Sequence, residues 1–266
     1  MAKFSKFFQQ NLSMAHDSTV RFSNRVANYA KYRPGYPDKV LDYLQHECHL
    51  TPGSVIADVG SGTGIFTKLL LDRGYIVYAV EPNDAMQHEA EKQLKSFKGF
   101  HSVSGTAENT SLPDKCANLI VCAQAFHWFN NTETKVEFKR ILSPYGHVAL
   151  IWNNRCIDAD DFAIAYELLL KQQSGDYERI NHQNLTEADF VAFYHGGKYK
   201  LVKFSNYQVF NFEQLAGRAF SSSYVPADDT PEGHLFHIQL KAIFDQYQTN
   251  GTVMFRYDTE VYLGRL

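Results

Sequence analysis

Between positions 55 and 64 the chain reads Val-Ile-Ala-Asp-Val-Gly-Ser-Gly-Thr-Gly, and a second apolar run, Ile76–Val80, ends at Glu81. A strand that runs into a turn with glycine at 60, 62 and 64 leaves bare backbone against which a ligand can press, because no Cβ holds it away. A carboxylate at the tip of the following strand is placed to accept hydrogen bonds from two ribose hydroxyls. The pair of features constrains the rest of the chain to a strand–helix alternation with an adenosine-containing ligand at its edge.

That alternation continues. Apolar runs over 54–59, 76–80, 100–104, 119–122 and 147–152 read as strands, and amphipathic stretches over 63–73, 84–95 and 132–142 read as helices between them. Pro52-Gly53, Gly74, Leu112-Pro113-Asp114 and Pro144-Tyr145-Gly146 punctuate the units. Strands apolar on both faces predict a parallel sheet covered by helices on both sides. Further on, 159–172, 186–194 and 231–248 look helical, whereas 199–210 and 252–263 look like strands. The expected architecture is a doubly wound, Rossmann-like, mostly parallel α/β sheet of seven strands, with a C-terminal antiparallel hairpin and a helical cap insertion. The chain divides into a tail and lid segment (1–36), a core (37–154), a cap (155–198) and a C-terminal part completing the sheet (199–266).

Which ligand the loop holds is narrowed by Ile65. A dinucleotide fingerprint needs its last glycine at that position, so the G-x-G-x-G pattern departs from nicotinamide enzymes. No Gly-Lys-Ser/Thr follows to make a phosphate-binding Walker loop. A formal net charge of −3, with lysines and glutamates interspersed, supplies no basic stripe for nucleic acid. No apolar run approaches the ~20 residues that span a bilayer, and residues 1–13 lack the apolar core of a secretory signal. Four cysteines without a C-x-x-C pair suit a reduced, cytoplasmic setting, and no metal set is evident.

In Asp58–Gly64, Val80-Glu81-Pro82-Asn83, Gly105-Thr106-Ala107-Glu108, Gln124–Phe129 and the segment Tyr29–Pro37, the chain resembles the class I S-adenosylmethionine-dependent methyltransferases. The small-molecule branch that includes trans-aconitate methyltransferases is the most similar. The resemblance implies S-adenosylmethionine as cofactor, S-adenosylhomocysteine as product, and no metal. It implies that Gly60, Ser61, Gly62 and Gly64 pass beneath the methionine part, with Asp58 orienting its ammonium. Glu81 takes the ribose hydroxyls, followed by Pro82, and Met86 lies against the adenosine. Thr106, Ala107 and Glu108 border the adenine, and Gln124 and Ala125 face the methionine end. Ahead of Pro34, Tyr29 and Arg33 read as cofactor-binding residues of a segment that folds over the cofactor as a lid, Arg33 pairing with its carboxylate, or else as a helix end broken by Pro34 with Tyr29 and Tyr32 packed as core aromatics. Structural readings stand beside these: Asn83 or Asp84 as a helix cap, Met86 as core, Glu108 as a solvated side chain.

Transfer of a methyl group from a sulfonium is an in-line displacement that positioning and water exclusion can drive. Phe126, His127, Trp128 and Phe129 fall where the donor methyl would emerge. Phe126 and Trp128 are candidate substrate contacts, or packing residues. His127 is either a general base or an orienting side chain. Arg155 and Tyr224 are candidate acceptor contacts, since a guanidinium can clamp a carboxylate with two parallel bonds; a surface ion pair would equally account for Arg155. The expected partner is a small molecule, with no nucleic acid and no membrane, and both monomer and homodimer remain open. A nucleic-acid methyltransferase, a nicotinamide-dependent oxidoreductase and a non-catalytic cofactor-binding protein are the rival readings.

Overall fold

The computed structural model describes residues 30–174, 177 and 185–266; Tyr29 and most of the tail assigned to 1–36 lie outside the described residues, as do positions 175, 176 and 178–184 of the cap. Seven strands form one sheet in the order β3-β2-β1-β4-β5-β7-β6. They are β1 (Val55–Val59), β2 (Ile76–Val80), β3 (Phe100–Val103), β4 (Ala117–Ala123), β5 (Leu142–Arg155), β6 (Tyr199–Phe210) and β7 (Val253–Gly264). The first five pair in parallel, and β7 runs antiparallel to both β5 and β6. The doubly wound sheet with its antiparallel end is therefore as expected. The antiparallel pair is not joined by a tight turn, however, because two helices lie between β6 and β7 in the chain.

Alternate residues of the central strands feed opposite faces, as the two-residue period of a strand requires. On one face Ala57, Ile120, Val148 and Leu150 meet Phe138 and Ile141 of α4 (Thr132–Ile141) and Phe190 and Phe193 of α6 (Glu187–Phe193). On the other, Ile56, Val77, Val121 and Ile151 meet Leu41 and Leu44 of α1 (Asp38–Glu47) and Phe66 and Leu70 of α2 (Ile65–Asp72). Burial on both sides explains why the parallel strands contain so few polar residues. A third apolar cluster joins α5 (Asp161–Gln173), α7 (Phe212–Phe220) and α8 (Pro231–Tyr247) through Leu170, Leu215, Phe236 and Leu240, against Phe255 of β7.

Side chains fix the helix starts. Asn83 accepts the Met86 N–H ahead of α3 (Asp84–Leu94), Asn131 accepts the Thr134 N–H ahead of α4, and Asp160 accepts the Ala163 N–H ahead of α5. Each cap satisfies one of the donors that a helix terminus leaves unpaired. Two helices were not expected from the sequence. In α1 the apolar residues Val40, Leu41 and Leu44 do recur at helical spacing. In α7 the presence of Gly217 weakens the signal; a Cβ there would stand 2.1 Å from the Tyr32 ring, so glycine admits that tyrosine.

Candidate cofactor and acceptor site

The strand order reverses between β1 and β4: the chain winds outward to β2 and β3 on one side and to β5 on the other. Loops leaving β1 and β4 must therefore diverge at their carboxyl ends, and the crevice between them is where ligands bind in such sheets. A cleft of about 1120 Å³, counting solvent at its mouth, opens there. It is lined by Asp58, Gly60, Ser61, Gly62, Glu81, Pro82, Met86, Thr106, Ala107, Glu108, Gln124, Ala125 and Trp128 among the residues anticipated from sequence.

Two carboxylates dominate the cleft. Glu81 is only 7% exposed, and its oxygens accept the backbone N–H of Gly62 (2.8 Å) and of Asn83 (2.9 Å). These bonds orient the group and account for part of the cost of hiding it. Each oxygen retains acceptor capacity for a hydroxyl. Burial pushes the Glu81 carboxyl upward, and the Asn83 and Gly62 amides pull against that rise. Asp58 is fully buried. Thr67 Oγ1 donates to its Oδ2 at 2.6 Å, while Oδ1 has no partner. Burial pushes Asp58 up to about 7, eased by the Thr67 hydrogen bond and reinforced by Glu81. An orphaned buried carboxylate oxygen facing the same cleft is a fitting acceptor for an ammonium group.

Backbone geometry makes room between them. Gly60 has φ +72°, and a Cβ on it would stand 2.6 Å from the Cβ of Ala125, so the loop can pass β4's end only as glycine. Gln124, at that end, has φ +60°, a left-handed conformation that costs a non-glycine residue on the order of 1–3 kcal/mol. Its N–H is held by Ile151 O at 2.8 Å. Met86 combines both readings given for it, since it is buried with the core while it lines the cleft. Glu108 is half-buried and accepts from Asn131 Nδ2 at 2.8 Å.

Other anticipated residues lie elsewhere. Gly64 precedes α2 and packs toward Leu94 and Ala90 rather than into the cleft. Phe126 is fully buried in the apolar cluster, its ring 4.5 Å from that of Phe193. His127 does not line the cleft; Trp152 Nε1 donates to its Nδ1 at a long 3.5 Å, and its ring stands 5.0 Å from Trp128. Arg33 donates to Ser221 O at 3.2 Å. Arg155 and Tyr224 occupy a separate enclosure near α5 and α7, with Arg155 bonded to Glu167 Oε2 at 2.6 Å. Conversely, Tyr36, Thr63, Ile65 and Phe66 line the cleft unanticipated. Tyr36 meets Phe66 edge-on at 4.9 Å, a contact that no local spacing could announce. Among the described residues no group of three or more His, Cys, Asp or Glu is arranged to hold a metal.

Comparison with known proteins agrees with this geometry. Residues 57–150 match the model of a methyltransferase domain. An uncharacterised methyltransferase-like protein of Schizosaccharomyces pombe is 34% identical over 135 residues, 50% of this chain and 52% of that protein. An uncharacterised methyltransferase of Mycobacterium tuberculosis is 33% identical over 141 residues, 52% of this chain and 54% of that one. The chain thus spans about half the length of these curated relatives. Among solved structures, that of a candidate type II methyltransferase from Anaeromyxobacter dehalogenans aligns with TM-score 0.63 at 18% identity, over 88% of this chain and 98% of that one, which shows a shared fold. Over residues 57–150 the chain is therefore similar to a methyltransferase domain, and its fold is the one seen in that solved methyltransferase structure.

Proposed function

We propose that this protein transfers a methyl group from S-adenosylmethionine to a small-molecule acceptor in the cytoplasm, with the oxygen of a carboxylic acid as the acceptor atom. The observation that carries the reading is the pairing of Glu81 and Asp58 in one cleft: a carboxylate pre-oriented by two backbone amides, and a buried carboxylate with an unpartnered oxygen. The first suits a sugar diol and the second an ammonium, and the cofactor carries both.

When bound, the cofactor supplies an electrophilic methyl group on a sulfonium. The chain's own residues hold it and exclude water. Glu81 would accept from the ribose hydroxyls, Met86 would lie on the adenosine, and Ala107 with Glu108 would border the base. Trp128 and Phe129, both on the cleft wall, would present aromatic faces to the positive charge. A carboxylic acid is ionised at neutral pH, so its oxygen attacks without losing a proton; His127, outside the cleft wall, is then a neighbour of Trp128 rather than a base. The four cysteines are free thiols, which supports the cytoplasmic reading.

The test is incubation of the full chain with isotopically labelled cofactor and a panel of small carboxylic acids, with mass spectrometry of the products. A methyl ester supports the reading. Calorimetry that detects no S-adenosylhomocysteine binding would remove it.

A further inference from the structure

Next to the antiparallel end of the sheet, three segments distant in sequence bring guanidinium groups together. Arg155 ends β5, Arg218 lies in the last turn of α7, and Arg33 reaches α7's end through Ser221 O. Arg218 is only 8% exposed, and the Arg155 side chain is 11% exposed. Tyr166 and Phe255 lie under the Arg155 guanidinium at 4.8 and 5.5 Å, and Tyr177 meets Tyr224 edge-on at 4.9 Å.

Among the described residues, the carboxylate in this enclosure is Glu167, which accepts from Arg155 Nη2 and from the Tyr177 hydroxyl (2.8 Å) and has Lys171 Nζ at 3.6 Å. Among the described residues Arg218 pairs with no carboxylate; its Nη1 donates to Ser222 Oγ at 3.1 Å. Two buried donors, Arg155 Nη1 and Arg218 Nε, have no partner. Hiding a guanidinium is costly unless an anion compensates it, and buried donors are rarely left unmatched. Among the described residues, two buried guanidiniums, Arg155 and Arg218, each with an unpartnered nitrogen, stand beside the single carboxylate Glu167, and they mark a place prepared for negative charge. Tyr224 records that field: burial pushes its phenol up, yet Arg218, Arg33 and Arg155 outweigh burial and bring it below the usual range.

We infer that Arg155, Arg218 and Tyr224 form an oxyanion-binding site that takes a carboxylate or phosphate group of the methyl acceptor. The word acceptor rests on the proposed function; the anion site does not. Its position links it to the cofactor cleft. Residues 33–36 run from α7's end, past Gly35 O, which accepts from Asn153 (3.1 Å) and Asn206 (2.9 Å), to Tyr36 on the cleft wall. An acceptor anchored by one anionic group on the arginines would direct the rest of its length along this strap toward the methyl donor.

The test is titration of the full chain, without cofactor, with inorganic phosphate and separately with malonate, followed by calorimetry and by thermal melting. Saturable binding of either anion with a rise in Tm is expected; malonate alone marks a carboxylate site and phosphate alone a phosphate site. Arg218→Met, checked for folding by circular dichroism, should weaken that anion at least tenfold. Should that variant not fold, Tyr224→Phe removes one hydroxyl from the same enclosure and should weaken the anion at least threefold. Absence of saturable binding for both anions, or wild-type affinity in whichever variant folds, overturns the inference. Because no cofactor is present, failure of methyl transfer would leave the anion result standing.

Discussion

The cofactor cleft and the arginine enclosure lie at the same edge of one sheet and carry opposite charge. The cleft buries two carboxylates, Asp58 and Glu81, and leaves one oxygen of Asp58 unpartnered. The enclosure buries guanidiniums and leaves two of their nitrogens unpartnered. Each region is incomplete in the sense that would attract a ligand of the other sign. The contrast extends to how they are built. The cleft's two buried carboxylates and its glycine loop come from positions 58–81, within two successive strand–helix units. The enclosure draws on positions 33, 155, 218 and 224, and its Arg33–Ser221 bond spans 188 residues. Evolution can write the first as a local motif, whereas the second exists only once the sheet has assembled.

The largest effect expected from breaking this comparison is on the basic side. Arg155→Ala removes the guanidinium that pairs with buried Glu167 and should destabilise the fold by about 3–5 kcal/mol, measured by urea unfolding; a loss under 1 kcal/mol would show the pair to be unimportant. On the acidic side, Glu81→Ala should weaken S-adenosylhomocysteine by roughly 1.5–3 kcal/mol, the scale of hydrogen bonds to a charged group. Next comes pH. Asp58 titrates near 7 in the folded chain, above the ordinary carboxylate range. Its burial therefore favours the protonated native state: that contribution is fully present below about pH 4 and is lost as pH rises through 7. Binding an ammonium needs the ionised form, so cofactor affinity should rise by up to about tenfold per pH unit toward 7 and then level off. Asp58→Asn should flatten that profile. The smallest effect concerns Asn83→Ala, which removes the α3 cap and should cost about 1 kcal/mol of stability; its affinity for the cofactor should fall less than in Glu81→Ala.

The sequence makes the parallel half of the fold legible because its central runs are buried on both faces and most of its turns carry glycine or proline. β2 begins and ends where its apolar run does, and β6 at Tyr199–Phe210 matches its alternating pattern. β5 proves longer than its apolar run, extending from Leu142 to Arg155, because Leu142 pairs with Ala117 of β4 at one end and pairing with β7 continues through the polar residues Asn153, Asn154 and Arg155 at the other. Helix α7 escapes because Gly217 breaks its propensity for a reason that resides in Tyr32, far away in sequence. The same division holds for the site. Glycine spacing and a strand-ending acid are local signals, and both point into the cleft. Phe126 and Trp128 are near neighbours in sequence, yet one enters the core and the other the cleft wall; the short 3-10 turn Phe126–Trp128 decides that, and its geometry has no counterpart in composition.

The grip of Glu81 on the cofactor is decided by calorimetric titration of S-adenosylhomocysteine into the wild-type chain and into Glu81→Ala at pH 7.5. One saturable site is expected in the wild type, and an affinity lower by about 10- to 150-fold in the variant, the equivalent of 1.5–3 kcal/mol. Equal affinities in the two proteins would contradict that expectation.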